Sequence, residues 1–246
     1  MKIGIMQPYF FPYIGYFQLI SSVDKFLIYE HISFRKRSWI TRNRILNKGN
    51  GDTEFITVPV KSASSFKKIS EITIDEEKAW RKKILNSVYS NYNRAWHFDE
   101  VFPFFEHLFY MEAHNLHEFN ALTTKKICDL LEISTTITYE HEDCLTLEES
   151  LPHMAEENGL EVKTQRIIEL CKKEKADTYV NPPGGRELYD KQQFATHDVY
   201  LKFLVGDAVE YKQFNFEHEP YLSMIDVLMH NGITKTKEFV NSYHID

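Results

Sequence analysis

Apolar residues recur along this chain with two different periods, and the alternation between them predicts an α/β fold. Ile3 to Met6 is a short apolar run closed by Gln7-Pro8, which reads as a buried strand. Pro8 and Pro12 then impose an irregular loop before Gly15, because proline fixes φ and biases its predecessor away from helix. Tyr16 to Val23 fits a short helix, and Lys25 to Ser33 is a β-branched and aromatic stretch expected to form a second strand. Strand, loop, helix and strand within about 33 residues is the βαβ unit of a parallel sheet.

Further along, Gly49-Asn50-Gly51-Asp52 marks a turn, and Phe55 to Val60 and Ile69 to Ile74 read as strands. Asp75 to Tyr92 places Trp80, Ile84, Leu85, Val88 and Tyr92 at helical spacing. Phe102 to Leu131 is apolar enough for one or two helices, and Thr136 to Tyr139 predicts a short strand. Lys163 to Lys173 reads as a helix, and Ala176 to Val180 as a strand broken by Asn181-Pro182-Pro183-Gly184-Gly185. Val199 to Val205 and Val209 to Phe214 predict strands, and Ser223 to His230 a helix stopped by Asn231-Gly232. No repeat, low-complexity tract or composition shift marks a linker. The expectation is one α/β domain over 1–246, Rossmann-like, with a mainly parallel sheet and a helical insertion at about 79–133.

Composition narrows the partners. The 29 Lys+Arg against 36 Asp+Glu leave a net charge of −7, which argues against general nucleic-acid binding. Cys128, Cys144 and Cys171 cannot all pair and form no CxxC, the usage of a reducing compartment. No charged-then-apolar leader opens the chain, and no apolar run approaches the roughly 20 residues that span a bilayer. A soluble, cytoplasmic protein without a membrane span is expected.

Three constellations carry candidate chemistry. The first is Gln7-Pro8-Tyr9-Phe10-Phe11-Pro12-Tyr13-Ile14-Gly15-Tyr16-Phe17, at the end of the first strand, where open α/β sheets bind ligands. Its Tyr13-Ile14-Gly15-Tyr16 sits where nucleotidylyltransferases carry His-x-Gly-His, with both histidines replaced, so that phosphate chemistry is unsupported. An aromatic core plug would look the same. The second runs from Arg35 to Lys48, with six basic residues and no acid. Extended, it projects Arg42 and Arg44 from one face beside Trp39, a clamp and stacking surface for an anionic ligand; a solvated basic turn is the alternative. The third is the glycine-containing loop after Tyr179, with Asn181 and Arg186. His107, His114 and His117 fall at helical spacing without an HExxH arrangement, and no metal is expected. The sequence also lacks GxxxxGK[ST], GxGxxG, GxSxG and Asp-x-Asp.

Taken together, the first motif, Arg37-Ser38-Trp39-Ile40-Thr41-Arg42-Asn43-Arg44 and Thr57-Val58-Pro59-Val60 resemble the WbqC-like protein family. The resemblance continues through Trp80, Tyr89, Tyr92, Thr164-Gln165-Arg166, Tyr189, Phe194, Leu222-Ser223-Met224-Ile225-Asp226 and Asn231-Gly232, nearly the whole chain. Asn181-Pro182 departs from the Ser-Gly usual in that family. The family is associated with bacterial O-antigen and surface-polysaccharide gene clusters. The resemblance therefore implies an enzyme acting on a nucleotide-linked sugar, with acyl or aminoacyl transfer to its amino group as the expected reaction. The donor is an acyl or aminoacyl compound or a carrier protein, and no cofactor is specified. The alternative is a non-catalytic binding or scaffolding subunit of the same pathway. On this reading Gln7, Tyr9, Tyr16, Trp39, Arg42, Asn43, Arg44 and Asn181 bind substrate. Amine acylation needs a base, for which His31 is the candidate, with Glu30 or Asp226 orienting it or replacing it.

Overall fold

A computed structural model describes residues 1–113, 115–139, 144–207 and 209–246. From the N-terminus, β1 (Lys2–Met6), α1 (Ile14–Ser21) and β2 (Lys25–Ile28) form the expected βαβ unit. Two small antiparallel ribbons follow, β3 (Arg42–Leu46) with β4 (Thr53–Thr57), and β5 (Val60–Lys61) with β6 (Thr73–Ile74). Three helices, α2 (Trp80–Tyr92), α3 (Phe98–Phe109) and α4 (Leu116–Leu130), then lead to β7 (Thr136–Thr138). The remainder runs α5 (Leu145–Asn158), α6 (Val162–Lys173), β8 (Thr178–Asn181), α7 (Lys191–Ala195), β9 (Tyr200–Gly206), α8 (Met224–Val240) and β10 (Tyr243–Ile245).

The main sheet has the order β10-β9-β8-β1-β2-β7, and only β10 runs antiparallel to its neighbour. The four central strands β1, β2, β8 and β9 alternate between two cores, as a sheet covered on both faces requires. Ile3, Ile5, Leu27, Tyr179, Leu201 and Phe203 pack with Ile167, Ile168 and Cys171 of α6. Phe26, Ile28, Val180 and Leu204 face the other way, onto α1, α8 and the aromatic residues of α2–α4. The two cores make this a mainly parallel α/β fold.

Several expected elements differ in extent, each for a visible reason. The second strand stops at Ile28 instead of Ser33, because the chain turns away to hydrogen-bond residues 67–70. Ile69 to Glu71 is a 3₁₀ turn, so only Thr73–Ile74 of that expected strand remains. Residues 209–214 do not form a strand: β10 already occupies the outer edge of β9. The helix beginning at Met224 breaks at Gly232, where φ is 66°, and resumes to Val240. That left-handed backbone favours glycine.

Candidate site at the switch point of the sheet

Chain order reverses between β1 and β8: β1 leads to β2 and β7 on one side, and the chain then returns to β8 and β9 on the other. Open α/β sheets bind ligands outside the carboxyl ends of the strands at such a point. A cavity of about 530 Å³ lies there, within the usual size for a small-molecule site. Tyr13, Ile14 and Gly15 bring the first turn of α1 into its wall, while Pro182 and Pro183 close the end of β8. Asp207 and the irregular residues 209–222 follow, the latter supplying Glu210, Tyr211, His218 and Tyr221. The rings of Tyr13 and Tyr221 meet edge-on, with centroids 5.9 Å apart. Gly15 permits this wall, since a Cβ there would lie 2.4 Å from the Tyr13 ring.

Among the described lining residues, His218 is the histidine. Its Nδ1 lies 3.2 Å from the Tyr211 carbonyl oxygen, which can only accept, so Nδ1 carries the proton in that bond. In the neutral ring, Nε2 then keeps its lone pair.

The loop between β1 and α1 is built by the residues of the first motif and their partners. Its carbonyls are accounted for almost one by one. Gln7 O accepts from the Tyr16 hydroxyl at 2.9 Å, and Pro8 O from Asn120 Nδ2 at 2.9 Å. Asn43 Nδ2 donates to Phe10 O at 3.0 Å and Phe11 O at 2.7 Å, and the Ser223 hydroxyl adds a bond to Phe11 O at 2.8 Å. Pro12 O accepts from Met224 N. Phe11 itself holds a φ of 40°, an unfavourable value for a bulky residue that these bonds maintain. Buried carbonyls demand such partners, which explains the buried Asn43 and Asn120.

Behind the cavity lies a fully buried carboxylate. Asp226, in the first turn of α8, accepts from the Tyr92 hydroxyl at 2.6 Å, the Tyr211 hydroxyl at 2.7 Å and Gln213 Nε2 at 3.0 Å. Burial, then the carboxylate beside them, raises both tyrosine pKa values well above the ordinary range, so both keep their donating protons. Tyr211 thus joins Asp226 to the cavity wall. His230 Nε2 is 3.7 Å from Asp226 Oδ2, beyond hydrogen-bond reach, and Tyr92, Trp96, Tyr211 and Phe214 box the ring. Burial pushes the His230 pKa down, partly opposed by Asp226.

The basic segment divides into parts with different surroundings. Arg42 and Arg44 share one face of β3, with Asn43 buried on the other. Arg44 reaches Glu219 at 3.1 Å and the Pro220 carbonyl at 3.3 Å, and Pro220 lines the cavity. Arg42 sits 4.3 Å over the Phe55 ring, which stacks with Trp39. Both rings are about half exposed. Lys48 donates to Asn93. Tyr9 packs against Tyr16, and burial raises both hydroxyl pKa values. Asn181 is buried, with its amide against the Gly185 backbone. None of Gln7, Tyr9, Tyr16, Trp39, Arg42, Asn43, Arg44 and Asn181 is itself in the cavity lining.

Glu30 and His31 are buried at the end of β2, with His31 Nε2 3.4 Å from Glu30 Oε1. They lie next to a cluster in which Arg166 forks onto Glu148 at 2.6 and 2.9 Å and the Tyr29 hydroxyl donates to Glu148 at 2.7 Å. Neither is in the cavity lining. Among the described residues no three His, Cys, Asp or Glu side chains converge as a metal site; His114 lies outside them. No described helix is long and apolar enough to cross a membrane. Sequence reasoning missed His218, Tyr211 and Tyr221, because residues 209–214 read as a strand and residues 215–222 have no periodicity to place them.

Comparison with known proteins agrees with the sequence resemblance over the same span. The WbqC-like protein family matches residues 7–238. A relative in Mycobacterium tuberculosis (strain ATCC 25618 / H37Rv), described as uncharacterized protein Rv1507c, is 32% identical over 234 residues, covering 94% of each chain. No solved structure matches. The cavity, the β1–α1 loop that borders it and the Ser223–Asp226 anchor all lie within the matched residues, and the chain belongs to the WbqC-like protein family.

Proposed function

We propose that this chain is an enzyme of bacterial surface-polysaccharide biosynthesis, acting at the switch-point cavity on a nucleotide-linked amino sugar. The reaction is transfer of an acyl or aminoacyl group to the sugar's amine. The supporting observation is His218: a histidine on the cavity wall whose Nδ1–H is held by the Tyr211 carbonyl, with Nε2 left as a base. Among the described residues the cavity lining includes no Ser, Thr, Cys or Lys, so direct transfer fits better than a covalent acyl-enzyme. The sugar amine attacks the carbonyl carbon of an activated acyl ester or thioester, forming the C–N bond. His218 Nε2 takes the amine proton and passes it to the leaving oxygen or sulfur as the acyl C–O or C–S bond breaks, releasing the alcohol or thiol. Arg42 and the Trp39–Phe55 pair supply a cation and a stacking surface for the nucleotide, and Arg44 links that strand to the cavity wall.

A non-catalytic binding subunit is the second reading, favoured by Asp226, whose oxygens are already taken by three donors. Calorimetric titration with nucleotide-linked amino sugars, followed by turnover with acyl donors, separates the two. Arg42→Ala should weaken binding roughly 10- to 150-fold relative to Lys48→Ala. His218→Gln should bind normally and turn over 10²- to 10⁴-fold more slowly. Binding with no turnover by the wild type would favour the subunit, and no binding would refute both.

A further inference from the structure

We infer that the turn at residues 35–37 and the loop at 66–68 together form a face that docks onto an anionic lipid bilayer. Ser33 and Lys68 pair antiparallel, and Phe34 N donates to Lys67 O at 2.8 Å. This pairing brings Arg35, Lys36 and Arg37 alongside Phe66, Lys67 and Lys68. Phe66 is 98% exposed, the ring standing free of its own protein. None of the five cations forms an ion pair with a described residue, although cations elsewhere do: Lys25 with Glu174, Arg44 with Glu219, Lys61 with Glu77 and Arg166 with Glu148. The chain holds 36 acids, yet no acid occurs from residue 31 to 51. Between residues 61 and 71 the single carboxylate is Glu71, which accepts from the Lys68 backbone N–H at 2.6 Å.

Five unpaired cations repel one another, and a bare phenyl ring in water is unfavourable. Both costs fall at once against an anionic bilayer, where phosphate headgroups meet the cations and the ring enters the interface. Nucleic acid offers the charge, but Phe66 on its loop tip has only serines and lysines beside it, with no groove or base-reading side chain. The inference is independent of what the cavity binds.

Vesicle co-sedimentation of the full chain tests it, using phosphatidylglycerol mixed with phosphatidylcholine, phosphatidylcholine alone, and single-stranded DNA as competitor. Binding is expected only to the anionic vesicles, with release at about 0.5 M salt, where screening shortens the range of surface charge. At about five-fold per cation, Lys36→Gln with Lys67→Gln should lower partitioning roughly 25-fold. Phe66→Ser should lower it about ten-fold, and Lys82→Gln, on α2, should leave it unchanged. All these positions except partly buried Lys67 are exposed, and unchanged melting curves will verify folding. No binding to anionic vesicles at low salt, equal binding by all variants, or preference for the DNA would overturn the inference.

Discussion

Replacing Asn43 by alanine tests whether the β1–α1 loop is held by its carbonyl partners. The Asn43 side chain is buried and donates at 3.0 Å to Phe10 O and at 2.7 Å to Phe11 O, while its oxygen accepts from Arg44 N at 2.8 Å. Phe11 O retains the Ser223 hydroxyl, so alanine leaves one buried carbonyl without a side-chain donor. Three lost bonds at about 1 kcal/mol each, with about 1–3 kcal/mol for the orphaned carbonyl, give a destabilisation of roughly 4–6 kcal/mol. For a chain of this length that lowers the melting temperature by roughly 8–24 °C. Ser223→Ala should cost only about 1–2 kcal/mol, because Asn43 still serves Phe11 O and the loss is largely the α8 cap. Urea unfolding followed by tryptophan fluorescence gives both values. An Asn43→Ala cost below about 1 kcal/mol, or a larger cost for Ser223→Ala, would refute the reasoning.

Two further outcomes follow from the buried carboxylate. Asp226→Ala removes the acceptor of two buried tyrosine hydroxyls and should cost about 3–5 kcal/mol, whereas Asp226→Asn, which keeps the shape and one acceptor, should cost about half as much in the same denaturation assay. His230 contributes a pH dependence of known sign. Burial lowers its folded pKa below the ordinary imidazole value of about 6.5, so the unfolded chain binds the extra proton first. Stability should therefore fall as pH drops below about 6.5, towards the folded pKa, and the His230→Phe chain should lose that part of the slope. Parallel slopes for both chains would exclude His230 as its source.

The fold was largely legible because its signals were local. Ile3 to Met6, the proline-bounded loop and Lys25 onward announced a βαβ unit, and the structure has it. Strands of only three residues, such as Tyr243–Ile245, carry too few positions for a period to emerge. Residues 209–214 read as a strand because their pattern was apolar, but pairing depends on a free edge, which β10 occupies. At the candidate site, Asn43 and Tyr16 of the expected binding set build the β1–α1 loop and stand outside the cavity lining. Asn43 and Tyr16 hold backbone carbonyls, a role that only tertiary proximity reveals. His218 comes from a segment 200 residues beyond the first motif, and nothing local joins the two.

The most direct test of the switch-point cavity is a crystal structure of the chain with a nucleotide-linked amino sugar. Sugar density between Tyr13 and Tyr221, with the amine within hydrogen-bond reach of His218 Nε2, is the predicted result. Well-ordered sugar density anywhere else, with the cavity unoccupied, would contradict it.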